Sequence, residues 1–326
     1  MAREMMYADA IAAAITEEMQ RDANVIFYGQ NMGMTERDPM LKKFGKDRVR
    51  LAPISETAET GIAIGAALTG LRPIVELWMS EFMLVAFNQV INEAPRLRYM
   101  SGGQVKVPVV FKAGFGFAAG WAGQHSNCIY HTMMGIPGLK VAVPSTPADA
   151  KGLMASAIRD DNPVVYLHHY MLTLEKGPVP EGELIIPFGV ADIKRAGTDV
   201  TLVATAWMVK KALAAAEQLA AEGISAEVID PRTLAPLDVP TILNSVKKTG
   251  RLVLVDQAPR HSSAAVVIAG EVAERGFEHL KAPIKLVTAL DTPVPYSEPM
   301  EKYILPDEGK IVAAVKTVLT GQTVAA

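Results

Sequence analysis

Cysteine is almost missing: Cys128 is the only one in 326 residues. This excludes a disulfide framework, a zinc site built on several thiolates and a cysteine-ligated iron–sulfur cluster, and it points to a reducing cytoplasm. An excess of charge of one sign is missing too. Lys+Arg number 32 against 35 Asp+Glu, a net charge of −3 with no basic run, so no electrostatic footprint exists for nucleic acid or an anionic membrane. Half of the residues are hydrophobic, yet no stretch reaches the roughly 18 uninterrupted apolar residues of a membrane span. That hydrophobicity belongs in cores and subunit interfaces. The N-terminal MAREMMYADAIAAAITEEM is interrupted by Asp9, Glu17 and Glu18 before a secretory core forms, and reads as an amphipathic helix. A Walker loop, a GxGxxG after the first strand, an HExxH and a histidine–carboxylate cluster of ligand spacing are all absent, which rejects a nicotinamide site.

What is present is a rhythm. Short β-branched runs, VIFY (25–28), PIVELW (73–78), VPVVF (107–111), LKVAV (139–143) and PVVYL (163–167), alternate with segments of helical period such as Ala148 to Arg159. Parallel strands joined by crossover helices have this signature. The rhythm breaks at TLEKGPVPEGELIIPFG, then resumes with VTLVA (200–204), a helix from Met208 to Ala221, AEVID (226–230), a helix near Val239 to Lys247, RLVLVD (251–256), a helix from Ala264 to Arg275, and IKLVT (284–288). Gly223 sits where a helix would stop. The expectation is an α/β protein of two domains with largely parallel sheets, residues 1–180 and 181–326.

Two segments carry chemistry. PISETAETGIAIGAALTG opens with Ser55 as an N-cap and puts Glu56 and Glu59 in the first turns of an otherwise apolar helix, which its composition predicts to be deeply buried. A carboxylate there either caps the helix through its dipole or serves as a partly desolvated acid suited to proton exchange. KAGFGFAAGWAGQHSN follows VPVVF with four glycines and ends near His125. A histidine beyond a parallel strand either contacts a ligand or is a hydrogen-bonded core or interface residue. His131, His168, His169, His261 and His279 have no comparable loop or carboxylate partner.

Together PISETAETGIAIGAALTGLRPIVEL, AFNQVINEA, RYMSGG, VPVVFKAG, AGQHSN, IPGLKVAVPSTPADAKGL and IRDDNPVVYL closely resemble the β subunit of the thiamine-diphosphate-dependent 2-oxoacid dehydrogenases, members of the transketolase-like family. The resemblance runs on through EVIDPRTLAPLD, VKKTGRLVLVDQA and TPVPYSE, which look most like the acetoin dehydrogenase branch. It implies a pyrimidine-binding domain followed by a transketolase C-terminal-like domain. It also implies thiamine diphosphate shared with an α subunit that carries a GDG motif and a downstream asparagine and holds Mg²⁺ and the diphosphate. This chain has no GDG. The implied assembly is an α2β2 heterotetramer on a lipoyl acyltransferase core.

Residue by residue, the resemblance puts the family's essential glutamate on Glu56, where it would hydrogen-bond N1′ of the aminopyrimidine, and the loop histidine on His125, where it would serve proton transfer. Phe82 matches the aromatic that packs on the pyrimidine face, and a structural potassium ion maps to oxygens of Val109, Ala157, Ile158, Asp160 and Asn162. Three departures stand out. Ala58 and Glu59 replace a glycine and an aromatic after ISE; Gln30 replaces the first acid of GED or GEE after the first strand; and the shorter loop from Gly29 to Pro53 carries TERDPM. The leading reading is a β subunit of a dehydrogenase component that cleaves a 2-oxoacid or acetoin-like ketone and passes the acyl group to lipoamide. A two-chain transketolase or synthase acting on a sugar or diketone, and a non-catalytic scaffolding subunit, are the alternatives.

Overall fold

The computed structural model describes residues 2–30, 39–117 and 120–321, and the chain divides into two compact units, one of residues 1–115 with 132–188 and the other of residues 116–131 with 189–326. Most of TERDPM and two alanines of the glycine-rich loop lie outside the described residues.

The first unit contains β1 (Ala2–Met6), α1 (Tyr7–Arg21), β2 (Val25–Gly29), α2 (Pro39–Phe44), β3 (Val49–Leu51), α3 (Glu56–Leu68), β4 (Arg72–Met79), α4 (Ala94–Met100), β5 (Val110–Phe115), α5 (Tyr130–Met134, where the chain returns from the second unit), β6 (Lys140–Ala142), α6 (Pro147–Arg159), β7 (Val164–His169) and β8 (Lys176–Pro180). Six of these strands form a parallel sheet in the order β6, β7, β5, β4, β2, β3. Every residue of β5 is buried, as a strand covered on both faces requires. Helix α6 starts cleanly: the Thr146 hydroxyl accepts the Asp149 N–H at 3.1 Å, and Pro147 takes the first position, where a missing N–H costs nothing.

Four sequence expectations change here. Residues 2–6 are a strand, not the start of the helix, because they pair antiparallel with β8, from Ala2 opposite Pro180 to Met6 opposite Lys176. The segment that lost its period therefore contains a strand of its own. The strand expected at 107–111 begins only at Val110 and runs on through Lys112, Ala113, Gly114 and Phe115, and Gly114 is needed there since an added Cβ would meet the Tyr170 ring at 2.2 Å. Finally, α3 is not deeply buried all round. Glu59, Thr60, Ala63, Ile64 and Ala67 face inward, while Ile62 stays 64% and Leu68 41% exposed, since a single helix can present only one stripe to the sheet.

The second unit contains β9 (Asp192–Arg195), β10 (Val200–Ala204), α7 (Trp207–Ala221), β11 (Ala226–Asp230), β12 (Thr233–Ala235), α8 (Val239–Thr249), β13 (Leu252–Pro259), α9 (Ala264–Arg275), β14 (Lys285–Ala289), α10 (Glu298–Ile304) and α11 (Glu308–Thr320). Its sheet has the order β14, β13, β10, β11, β9, with only β9 antiparallel. Two cores flank it. Met208, Ala212 and Leu219 of α7 pack with Ile311 and Val315 of α11, and Ile242 and Val246 of α8 pack with Ile268 and Val272 of α9. Gly223 follows α7 at φ +81°, the left-handed stop its position predicts.

Candidate cofactor site

Two parallel strands end beside the start of one helix. At the end of β2, Gly29 has φ +152°, and a Cβ there would lie 2.3 Å from the Glu76 carbonyl oxygen of β4, so only glycine permits the approach. The next residue, Gln30, is buried and donates its N–H to that same oxygen at 3.3 Å. Glu56 is the first residue of α3 and is half-buried; Ser55 stands at the N-cap but its hydroxyl makes no capping bond. The cap comes from the other direction, with Glu59 Oε1 accepting the Ser55 N–H at 3.1 Å. The Tyr28 hydroxyl donates to the Glu59 backbone carbonyl and ties the helix start to β2. The Thr57 hydroxyl donates to the Val85 carbonyl at 3.0 Å and ties it to the 3₁₀ turn Ser80–Leu84, which carries a half-buried Phe82. Glu56 and Phe82 are thus held on neighbouring, mutually bonded elements of one unit.

Glu59 is only 2% exposed. Burial raises its pKa, the Ser55 N–H and the Gln30 amide oppose the rise, and the charge of Glu56 adds to it. Glu59 Oε2 and Gln30 Nε2 are both buried with no hydrogen-bond partner. Burial, reinforced by the Glu59 charge, pushes the Tyr28 phenol well above its usual range. Behind this edge Lys112 of β5 pairs with Glu76 of β4, both about nine-tenths buried. Burial first, then Lys112, holds the half-buried His168 well below the usual imidazole range. Sequence reasoning missed Tyr28 and the Glu76–Lys112 pair; a basic residue inside an otherwise apolar strand was the signal available.

His125 lies in the other unit, on the segment 116–131, and is half-buried. Its N–H donates to the carbonyl of Ala122, whose φ is +58°, and the Asn127 amide closes the turn on the Gly123 carbonyl at 2.9 Å. The segment is anchored by Tyr130, whose hydroxyl donates to Asp256. Asp256 also receives the Ser263 hydroxyl at 2.7 Å and the Ala258 N–H at 3.1 Å. Burial still raises its pKa. The structure therefore joins Glu56 with Phe82, and places His125 on a separate compact unit.

The five potassium candidates gather where α6 meets the starts of β5 and β7. Arg72 donates to the Ile158 carbonyl at 2.7 Å and to the Asp160 carbonyl at 2.6 Å, while Lys140 and the Asn162 amide hold the Asp160 carboxylate. The Val109 carbonyl accepts the Val164 N–H at 2.9 Å, and the Ala157 carbonyl accepts the Asp160 N–H at 3.4 Å. Each of these carbonyls keeps a second lone pair. Among the described residues no group of three or more His, Cys, Asp or Glu side chains is placed to hold a metal, and no helix is long and apolar enough to cross a membrane.

Residues 3–173 match the family model of the transketolase pyrimidine binding domain, and residues 189–311 that of the transketolase C-terminal domain. The β subunit of acetoin:2,6-dichlorophenolindophenol oxidoreductase from Cupriavidus necator is 44% identical, over 98% of this chain and 99% of its own length. The chain belongs to this family of transketolase-like β subunits. The family extends to the pyruvate dehydrogenase E1 component subunit beta of Rhizobium meliloti, 42% identical over 96% of this chain and 70% of that one. A solved split-gene transketolase, described as an inactive beta4 tetramer, shares the fold with a TM-score of 0.81 at 23% identity, over 97% of this β subunit and 98% of that chain.

The aminopyrimidine half of thiamine diphosphate fits the first unit of the β subunit on two observations: a half-buried acid at a helix start and an aromatic on the adjoining turn.

Proposed function

We propose that this β subunit supplies the aminopyrimidine-holding half of a thiamine-diphosphate-dependent enzyme that cleaves acetoin or a 2-oxoacid and passes the acyl group to lipoamide. The observation that carries it is Glu56, an acid at the mouth of α3 next to the Phe82 turn. When bound, thiamine diphosphate supplies a nucleophilic carbon at C2 of its thiazolium. Glu56 holds a proton against N1′ of the aminopyrimidine, Phe82 packs on the ring face, and His125 moves a proton at the reacting carbonyl. The diphosphate and Mg²⁺ fall to an α partner with the GDG motif and its asparagine, and the acyl group to a lipoyl acyltransferase core.

Acetoin and pyruvate relatives stand at 44% and 42% identity, too close for overall similarity to choose the substrate. Reconstitution with the α chain from the neighbouring reading frame chooses it. Acyl transfer to a lipoyl domain is measured with acetoin and with pyruvate; no transfer with any ketone or 2-oxoacid sinks this function. A potassium ion sharing the Ile158 and Asp160 carbonyls with Arg72 belongs to the same reading, and so does a cytoplasmic setting, supported by a single buried cysteine. A melting temperature that is the same in potassium and in lithium salts would remove the potassium ion from it.

A further inference from the structure

Two of the departures from the family pattern, at positions 30 and 59, are one feature in space. Gln30 at the end of β2 faces Glu59 on the first turn of α3, and each side chain carries a buried polar atom with no hydrogen-bond partner, Gln30 Nε2 and Glu59 Oε2. The strand end carries the amide and the helix start the acid.

The surroundings of Glu59 do not support a charge. Its carboxyl receives the Ser55 N–H and has only the Gln30 amide beside it as a further donor, and among the described residues no basic side chain pairs with it. The Tyr28 hydroxyl is committed to the Glu59 backbone carbonyl, not to its carboxyl. Glu56, one turn earlier on α3, is of the same sign. On β4, against which α3 packs, Glu76 is already neutralised by Lys112; on the following turn Glu81 is a buried acid held by the Ser80 hydroxyl at 3.2 Å. A carboxylate with neutral donors alone and no cation among the described residues, in a site only 2% exposed, costs more than the protonated acid. Protonation also turns Oε2 into a donor, and the Gln30 amide beside it carries an oxygen to accept and an N–H₂ to give. One reciprocal pairing then satisfies both orphaned atoms.

We propose that Glu59, with Gln30, is a positioning residue for Glu56: it is a carboxyl that keeps its proton in the folded chain, so that it adds no second negative charge to the turn that presents Glu56 to the cofactor. The inference rests on the role given to Glu56 above.

The first test needs neither cofactor nor partner. Thermal unfolding of the full chain is followed from about pH 4 to about pH 8 for the wild type and for Glu59→Gln, the neutral isostere of the protonated acid. A carboxyl whose proton is held more tightly when folded contributes stability that is present at low pH and lost as pH rises through its folded value. Glu59→Gln has no proton to lose, so it gains stability relative to the wild type as pH rises. A pH-independent difference means that Glu59 is ionised in the folded chain and overturns the proposal. Should Glu59→Gln fail to fold, Glu59→Met, uncharged and of similar length, is expected to show the same trend. In the reconstituted enzyme, Glu59→Gln keeps near wild-type kcat on the acid side and loses the fall in rate that ionisation of Glu59 causes on the alkaline side. A loss on the order of 10²-fold at every pH would instead make Glu59 a catalytic acid and overturn its positioning role. An active Glu56→Gln would sink the Glu56 reading while leaving the stability result standing, so the two failures are distinguishable.

Discussion

Lys112→Met tests whether the sheet edge beneath the candidate site depends on a buried ion pair. Lys112 on β5 and Glu76 on β4 stand opposite one another in register, with side chains 10% and 9% exposed. Glu76 also accepts the N–H of Trp78, a residue at φ +58°, at 3.3 Å, and its backbone oxygen receives Gln30. Removing the ammonium strands the Glu76 carboxylate in a dry site, which costs about 3–5 kcal/mol, the scale for breaking one side of a buried pair. In a protein of this size that lowers the melting temperature by roughly 10 °C. The double variant Glu76→Gln/Lys112→Met removes both charges and keeps an acceptor for Trp78. It should recover most of the loss, because desolvation of the two ions offsets much of their attraction. Urea unfolding of the three variants, read by a probe in the first unit, gives the values. His168 adds a second readout: the Lys112 charge depresses its pKa, so in Lys112→Met its imidazole should titrate at higher pH by NMR while burial still holds it below the ordinary value. A single-variant cost below about 1 kcal/mol, the worth of an exposed pair, would refute the reasoning.

Glu56→Gln in the reconstituted enzyme should fold and assemble yet lose turnover on the order of 10²-fold or more, since an amide cannot carry the shared proton; if Glu59→Gln is dead and Glu56→Gln active, the two roles are exchanged. The chain alone should bind thiamine diphosphate weakly or not at all in calorimetry, and tight Mg²⁺-dependent binding without a partner would overturn the split site. The outward face of α3, with Ile62 64% exposed and Ile54 just before it 79% exposed, should lie in a subunit contact larger than a standard one of roughly 1,600 Å². Ile62→Lys is expected to weaken association in light scattering without unfolding the chain, and a wild-type chain that is monomeric at micromolar concentration would contradict this.

The rhythm of the fold was legible in the residues. Strands at 200–204 and 226–230 and the helix from Ala264 to Arg275 stand where their periods put them, since each buries a local pattern that neighbours in sequence specify. The place of Glu56 at the start of α3 was legible because an acid ahead of an apolar helix is a local pattern too. Tertiary pairing decided the rest. Residues 2–6 became a strand because Ala2 meets Pro180, a partner that no local window contains. KAGF became strand, not loop, because β4 and β7 lie on either side of it. Composition alone predicted burial for all of α3, whereas the sheet reaches one face and leaves Ile62 outside. Glu59 and Gln30 read as two unrelated departures 29 positions apart. Only the packing of α3 against the ends of β2 and β4 makes them one polar pair, since burial, and with it the cost of charge, is a property of the folded neighbourhood and not of the residue.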